Sequence, residues 1–327
     1  MKALVYEGPE TLVFREAADP VVAEDEALVR VHSVGICGSD MHAYLGHDAR
    51  RPAPLILGHE AAGVVEGGTW DGRRVTINPL VSCGKCRDCI EGHSNICAYR
   101  QIMSMPPRQG SFAEYAVAPM RNLVDVPDDV SFDQASLVEP LACGWHAVRL
   151  AMRQPGRIER ALIIGGGAIG VGGALALRAQ GVTDCVLVEL TEIRAATVAE
   201  HLGIPVFHPD DPSLDPDFDV VFDGVGIAAT RALASKLCRQ GGVIVHVGLG
   251  SGLGGLDARR MTLQEIGFFG CYTYTEEDFR ETAAALFEGR KGDCAWIETR
   301  ALAGGAQAFA DIRGDAVAVP KIVLNPF

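Results

Sequence analysis

Cys83, Cys86, Cys89 and Cys97 stand in CGKCRDCIEGHSNIC with two, two and seven residues between them. Four thiolates so close together in a glycine-containing loop suit a closed tetrahedral site, for which zinc is the favoured ion. Such a site would carry a net charge of about −2 and offer no vacant position, so it would be a poor Lewis acid and its role structural. Losing the ion should unfold the lobe, since structural zinc contributes roughly 10–16 kcal/mol of binding free energy to the folding of small peptides. Two other assignments compete for these residues. An iron–sulfur cluster shares the two-and-two spacing, but its usual fourth cysteine and following proline are missing. His93, inside the loop, would have to replace one thiolate.

A second set is dispersed: Cys37 in GICGSDMHAY, His59 and Glu60 in LGHEAAG, and Glu139 in LVEPLACGWHA. Cysteine, histidine and one carboxylate leave a fourth position open to water or substrate, as catalytic zinc requires. With Cys37, His59 and Glu60 as ligands the formal charge is zero, more positive than at the four-cysteine site, and this ion could polarise an alcohol. Taken singly, each residue has a plainer reading. Cys37 could be a small buried apolar residue, His59 a structural histidine and Glu60 an exposed carboxylate. Glu139, before Pro140, could be an acid held at a helix N-terminus by the dipole. Together they favour the metal.

The third chemical signal is the stretch Ala161 to Leu190, ALIIGGGAIGVGGALALRAQGVTDCVLVEL. An apolar run ends at Gly165, and after Gly170 the chain turns helix-forming: strand, tight turn, helix. Gly165-x-Gly167-x-x-Gly170 fits a dinucleotide-binding turn, in which glycines make the turn, let the backbone approach a pyrophosphate and let helix and strand pack closely. The phosphates would rest on the helix N-terminus. A second strand, Cys185 to Val188, ends in Glu189, 19 residues after Gly170. A carboxylate there accepts hydrogen bonds from the ribose hydroxyls and repels a 2′-phosphate, so NAD is expected over NADP. Two plainer readings are a glycine-rich core turn and a membrane helix. The uncharged run Ala161 to Leu177 has six glycines and falls short of the roughly 20 residues that span a bilayer. Gly172 and Gly173, inside the expected helix, cost about 1 kcal/mol each against alanine, and the sequence does not explain them.

The elements that must hold these residues read in two styles. Before about residue 130 the chain gives short strands between glycines and prolines: Lys2 to Tyr6, Leu12 to Arg15, Ala27 to Val34, Ala61 to Glu66, Arg74 to Ile77, Phe112 to Val117 and Asn122 to Val126. This is mostly antiparallel and barrel-like. From about Asp133 the composition becomes alanine-rich and strands alternate with helices: Asp219 to Asp223, a helix near Ile227 to Arg239, Gly242 to Val247, and Ile266 to Cys271. Such alternation predicts a doubly wound parallel sheet, an α/β fold. The last part offers helices near Asp278 to Phe287 and Gly305 to Ile312, and strands Trp296 to Thr299 and Lys321 to Leu324, without an evident place.

The 327 residues allow two domains, and the net charge of −13 speaks against nucleic acid or an anionic membrane as partner. No signal-peptide run opens the chain, so the cytoplasm is the expected location. Ten cysteines in so large a chain, four of them at metal spacing, do not suggest a secreted disulfide framework.

Together GICGSDMH, LGHE, the four-cysteine lobe, Pro106 to Tyr115, LVEPL, the glycine turn and the strand ending in Glu189 resemble the zinc-dependent alcohol dehydrogenases of the medium-chain dehydrogenase/reductase superfamily. The resemblance is greatest to their sorbitol (polyol) dehydrogenase branch and runs nearly end to end. It implies a discontinuous GroES-like catalytic domain (residues 1–140 and 273–327) and an inserted Rossmann domain (141–272), with the active site between them. It implies one catalytic and one structural zinc per chain, and a homodimer or homotetramer. It implies that Cys37, His59 and Glu60 hold the catalytic zinc, while Glu139 holds the water or substrate there; in other branches the acid at Glu139 binds zinc itself. Asp40 matches an acid that orients the zinc histidine. Ser39 and His42 match the hydroxyl and histidine that pass the alcohol proton to solvent through the nicotinamide ribose. The nucleotide contacts expected are Gly165, Gly167, Ala168, Ile169, Gly170, Glu189, Arg194, Val225, Val247 and Tyr272.

The expected reaction is oxidation of a secondary alcohol of a polyol or related sugar derivative, with hydride transfer to NAD. Thr273-Tyr274 stands where sorbitol dehydrogenases have arginine-tyrosine, so sorbitol itself is not implied. Arg108 is either a solvated loop arginine or a partner for an acidic or phosphorylated substrate tail. Sugar-acid, phosphorylated-polyol, threonine or diol dehydrogenase are the alternatives within the superfamily. A zinc-free, quinone-reductase-like relative using NADPH is the main rival, and a non-catalytic protein that kept the fold and a nucleotide-sensing regulator are rivals of another class.

Overall fold

In the computed structural model, residues 1–154, 156–292 and 294–327 are described. The alanine-rich half forms a six-stranded parallel sheet in the order Val206–Phe207, Asp184–Val188, Arg160–Ile164, Phe218–Asp223, Cys238–His246, Gly267–Gly270. Strand order reverses beside Arg160–Ile164, and ligands of open α/β sheets bind in the crevice beyond such a reversal. The glycine turn follows that strand directly. The uncharged run splits as expected: Arg160–Ile164 is strand and Ala168–Ala179 is helix. Among the described residues no helix is long and apolar enough to cross a membrane.

The N-terminal half supplies most of a seven-stranded sheet built on Glu26–Gly35, which pairs antiparallel with Glu60–Glu66 and Tyr115–Pro119. Its alternating burial, with every second residue from Ala27 to Val31 inward, is the period-2 signature of a half-covered strand. The C-terminal segment finds its place here. Lys321–Asn325 pairs antiparallel with the end of Glu26–Gly35, Val323 opposite Gly35, and parallel with Ile297–Ala301. Residues from both chain ends therefore share one sheet and one apolar core, with Leu4, Val29, Ile77 and Phe112 packed beside Phe309, Ile322 and Leu324.

Three differences from the sequence reading matter for the site. Gly38–Tyr44 is a helix, which the β-rich reading of that half did not foresee; Cys37 precedes it and Asp40 closes a capping box on the Cys37 backbone. The strand expected at Phe112 to Val117 begins only at Tyr115, because Phe112 and Ser111 bond back to Leu57 and Gly58. Helices Glu192–Leu202 and Ala258–Gln264 complete the nucleotide half.

Candidate active site

The four-cysteine loop folds on itself through two short turns, Arg87–Ile90 and Ser94–Ile96. Sγ separations are 3.5 Å for Cys86–Cys89, 3.7 Å for Cys86–Cys97 and 4.0 Å for Cys83–Cys89. A tetrahedral zinc with sulfur ligands at about 2.3 Å needs sulfurs about 3.8 Å apart, so the donor set fits the ion. Backbone N–H groups of Lys85 and Cys86 hold the Cys83 thiol down to about 6, whereas burial pushes Cys89 up to about 12. His93 is not part of this group of donors.

The dispersed set also comes together: ligand atoms of Cys37, His59 and Glu60 lie within 4.8 Å of one another. Cys37 ends the run from Glu26–Gly35, while His59 and Glu60 open the neighbouring strand. Antiparallel pairing of Gly35 with Glu60 joins them across 25 residues. A Cβ on Gly35 would lie 2.0 Å from a Glu60 carboxylate oxygen, so any side chain there would displace that carboxylate. His59 Nδ1 faces Asp40 Oδ1 at 3.4 Å and Ser104 Oγ at 3.5 Å, which leaves Nε2 free to serve as a donor to a metal. Asp40 is buried, and burial raises its carboxyl, but His59, Arg51 and the Cys37 N–H together bring it below the usual carboxylate range.

Glu139 lies in the first turn of helix Val138–Met152, as its helix-terminal reading also required. It is outside the three-donor group. Tyr274 donates its hydroxyl to Glu139 Oε1 at 2.6 Å. Burial pushes the Glu139 carboxyl up to about 7, and the charge of nearby Glu60 adds to the rise. Glu60 has its own partner: Lys321 Nζ reaches its two oxygens at 2.6 and 2.7 Å and the Ile36 carbonyl at 2.8 Å. Neither Tyr274 nor Lys321 was singled out from sequence as a partner of these acids. A lone lysine in the apolar run VPKIVLN was the one available signal for Lys321.

A cleft of about 290 Å³ joins this cluster to the glycine turn. It is lined on one side by Cys37, Met41, Glu60 and Lys321 and on the other by Gly167, Ala168, Ile169 and Arg194. Gly165 adopts φ +100°, and a Cβ on Gly170 would lie 1.8 Å from the Gly165 carbonyl oxygen, so turn and close packing both demand glycine here. Glu189 accepts from Gly166 N at 2.7 Å and Thr191 N at 2.8 Å, with Arg194 at 3.6 Å. Val225, Val247 and Tyr272 are not in the lining. Val225 packs on Gly165, and Tyr272 lies under Arg100 with its carbonyl held by Asn95. Arg108 is also outside the lining; it is partly exposed and paired with Glu26 and Gln101 at 2.8 Å each.

Comparison with known proteins identifies this arrangement. Residues 23–128 match the alcohol dehydrogenase GroES-like domain and residues 168–288 match the zinc-binding dehydrogenase domain. L-galactonate-5-dehydrogenase of Escherichia coli K12 is 30% identical over 89% of this chain and 88% of its own length. The chain belongs to the zinc-type alcohol dehydrogenase family of the medium-chain superfamily. Sorbitol dehydrogenase of Arabidopsis thaliana is 32% identical over 82% of this dehydrogenase and 79% of its own length. The solved structure of a short chain alcohol dehydrogenase from Escherichia coli CFT073, complexed with cofactor NADH, superposes with a TM-score of 0.89. It is 25% identical and covers 99% of each chain. The dehydrogenase thus combines a GroES-like domain, a Rossmann-like nucleotide domain and zinc, as the sequence led us to expect.

Proposed function

We propose that this dehydrogenase oxidises a secondary alcohol of a polyol or sugar acid to the ketone, with NAD as acceptor. The observation that carries the reading is that Cys37 and Glu60, whose donor atoms group with that of His59, line one cleft with Gly167 of the glycine turn. Bound zinc would supply Lewis acidity to the substrate hydroxyl, and bound NAD the hydride acceptor.

Cys37, His59 and Glu60 are the protein ligands in this reading. Lys321 balances the Glu60 charge, and Asp40 fixes the imidazole. Glu139, tethered by Tyr274, holds the water or substrate hydroxyl beside the metal rather than ligating it. Ser39 accepts the alcohol proton and His42, exposed one helical turn later, releases it to solvent. Ile312, Val317 and Val319 give the cleft an apolar wall that excludes water near the transferring hydride. Glu189 supports NAD over NADP.

Family resemblance adds a homodimer or homotetramer and a cytoplasmic location to the reading. The sugar-acid arm rests on the galactonate dehydrogenase relative. Reduction of NAD and NADP over polyols, aldonic acids, sugar phosphates, threonine and diols tests the proposal. We expect turnover with a polyol or aldonate and at least tenfold preference for NAD; no turnover on either class would overturn it.

A further inference from the structure

Arg51 is an almost fully buried arginine whose charge helps lower the Asp40 carboxyl, and its hydrogen bonds reach further than that. It sits at the end of a turn closed by its own N–H to the Asp48 carbonyl, and is 3% exposed. Its guanidinium is held on every side. Nε donates to the Ser104 carbonyl at 3.1 Å, and Nη1 to the Ser39 carbonyl at 3.0 Å and Asp48 Oδ2 at 2.9 Å. Asp48 is pinned in turn by Arg50, at 2.8 and 2.9 Å. The remaining contact is from Nη2 to Ser39 Oγ at 3.3 Å.

A serine hydroxyl has one proton and two acceptor lone pairs, and its rotor is otherwise free. A fixed N–H donor on one lone pair leaves the other to accept a proton and points the hydroxyl hydrogen away from the guanidinium. A charged donor also favours the oxygen when it gains negative character. We propose that Arg51 is a positioning residue for the proton relay: it sets the Ser39 rotor and eases the hydroxyl's passage through a proton-poor state. In the step it assists, the alcohol O–H bond breaks and its proton goes to Ser39 Oγ. The serine's own proton leaves toward His42, and bound NAD would take up the hydride of the carbinol carbon. The alcohol is oxidised and NAD reduced. The inference rests on the relay assigned to Ser39 under the proposed function.

A double-mutant cycle on the zinc-loaded enzyme tests it, with single-turnover hydride transfer, NAD affinity by fluorescence titration, zinc content and solvent deuterium isotope effect as readouts. Charge-assisted hydrogen bonds correspond to about ten- to hundredfold in rate. Arg51→Met should therefore slow hydride transfer by about that factor and raise the solvent isotope effect, with NAD affinity and zinc content within about twofold. Arg51→Lys should recover part of the loss. In a Ser39→Ala background Arg51→Met should cause almost no further loss, because the group it acts through is gone. If Arg51→Met does not fold, Arg51→Gln enters the same cycle and is read the same way. Wild-type transfer in the arginine variants, or losses that multiply with Ser39→Ala, would overturn the inference while leaving the relay standing. Wild-type transfer in Ser39→Ala would instead remove the relay itself.

Discussion

Lys291 shows what a single side chain's surroundings impose. It is 1% exposed, its Nζ has no hydrogen-bond partner among the described residues, and it lies 4.8 Å over the Trp145 ring. Burial pushes its ammonium down to about 7, while the face of Trp145 works in the opposite direction. Between that value and the unfolded lysine's 10.5, the unfolded chain holds a proton that the folded chain does not. Stability should therefore rise with pH through this window, by at most about 1.4 kcal/mol per unit, and the penalty is greatest below 7. Lys291→Met should stabilise the protein at pH 7 and lose that slope. Urea unfolding of both forms at pH 7 and pH 9 checks this, and an equal gap at the two values would contradict it. The candidate metal donors that the structure groups together were legible at this scale because thiolate, imidazole and carboxylate announce themselves by type and spacing. Lys321 and Tyr274 were not, since each meets its acid over more than a hundred residues of sequence.

Helix against helix explains the glycines that the sequence left open. Val138–Met152 and Ala168–Ala179 cross so closely that a Cβ on Gly144 would stand 2.3 Å from the Gly172 carbonyl carbon. A Cβ on Gly172 would meet the Pro140 carbonyl at 3.3 Å, and one on Gly173 the Phe222 ring at 3.0 Å. Both glycines lower the helix's intrinsic stability, Gly172 so that Glu139's helix can approach Ala168–Ala179 and Gly173 so that Ala168–Ala179 can pack on Phe222 of the parallel sheet. Gly144→Ala is expected to destabilise by about 1–3 kcal/mol, the range for overpacking, despite alanine's better helix propensity. Thermal melting decides, and a raised melting temperature would mean that propensity outweighs the contact. Period and turn chemistry located most strands and helices from sequence; this crossing could not be read, because it depends on a partner helix.

The four-cysteine lobe ties the molecule together where the chain re-enters the catalytic half. Asn95 donates to the Tyr272 carbonyl at 2.8 Å, Glu276 N donates to Ser94 Oγ at 3.0 Å, and Arg100 covers the Tyr272 ring. Beyond it, His146 Nδ1 meets Asp278 at 2.7 Å, and Tyr274 reaches Glu139. A lobe that loses its metal should thus loosen the cleft as well as itself. Cys89→Ser is expected to lose about one zinc per chain, melt earlier and be cut first within residues 83–100; zinc analysis, thermal melting and limited proteolysis read the three in turn. An unchanged cleavage pattern would mean the lobe holds without its ion. The amino-acid sequence by itself determined the chemistry available: two metal donor sets, a nucleotide turn and the strand and helix periods around them, because these are properties of residue type and local spacing. Only the tertiary structure decided that the last strand returns to the first sheet, that Lys321 claims Glu60, that Tyr274 claims Glu139 and that Arg51 reaches Ser39. Those pairings depend on which distant backbones are brought within hydrogen-bond reach, and no local pattern encodes that.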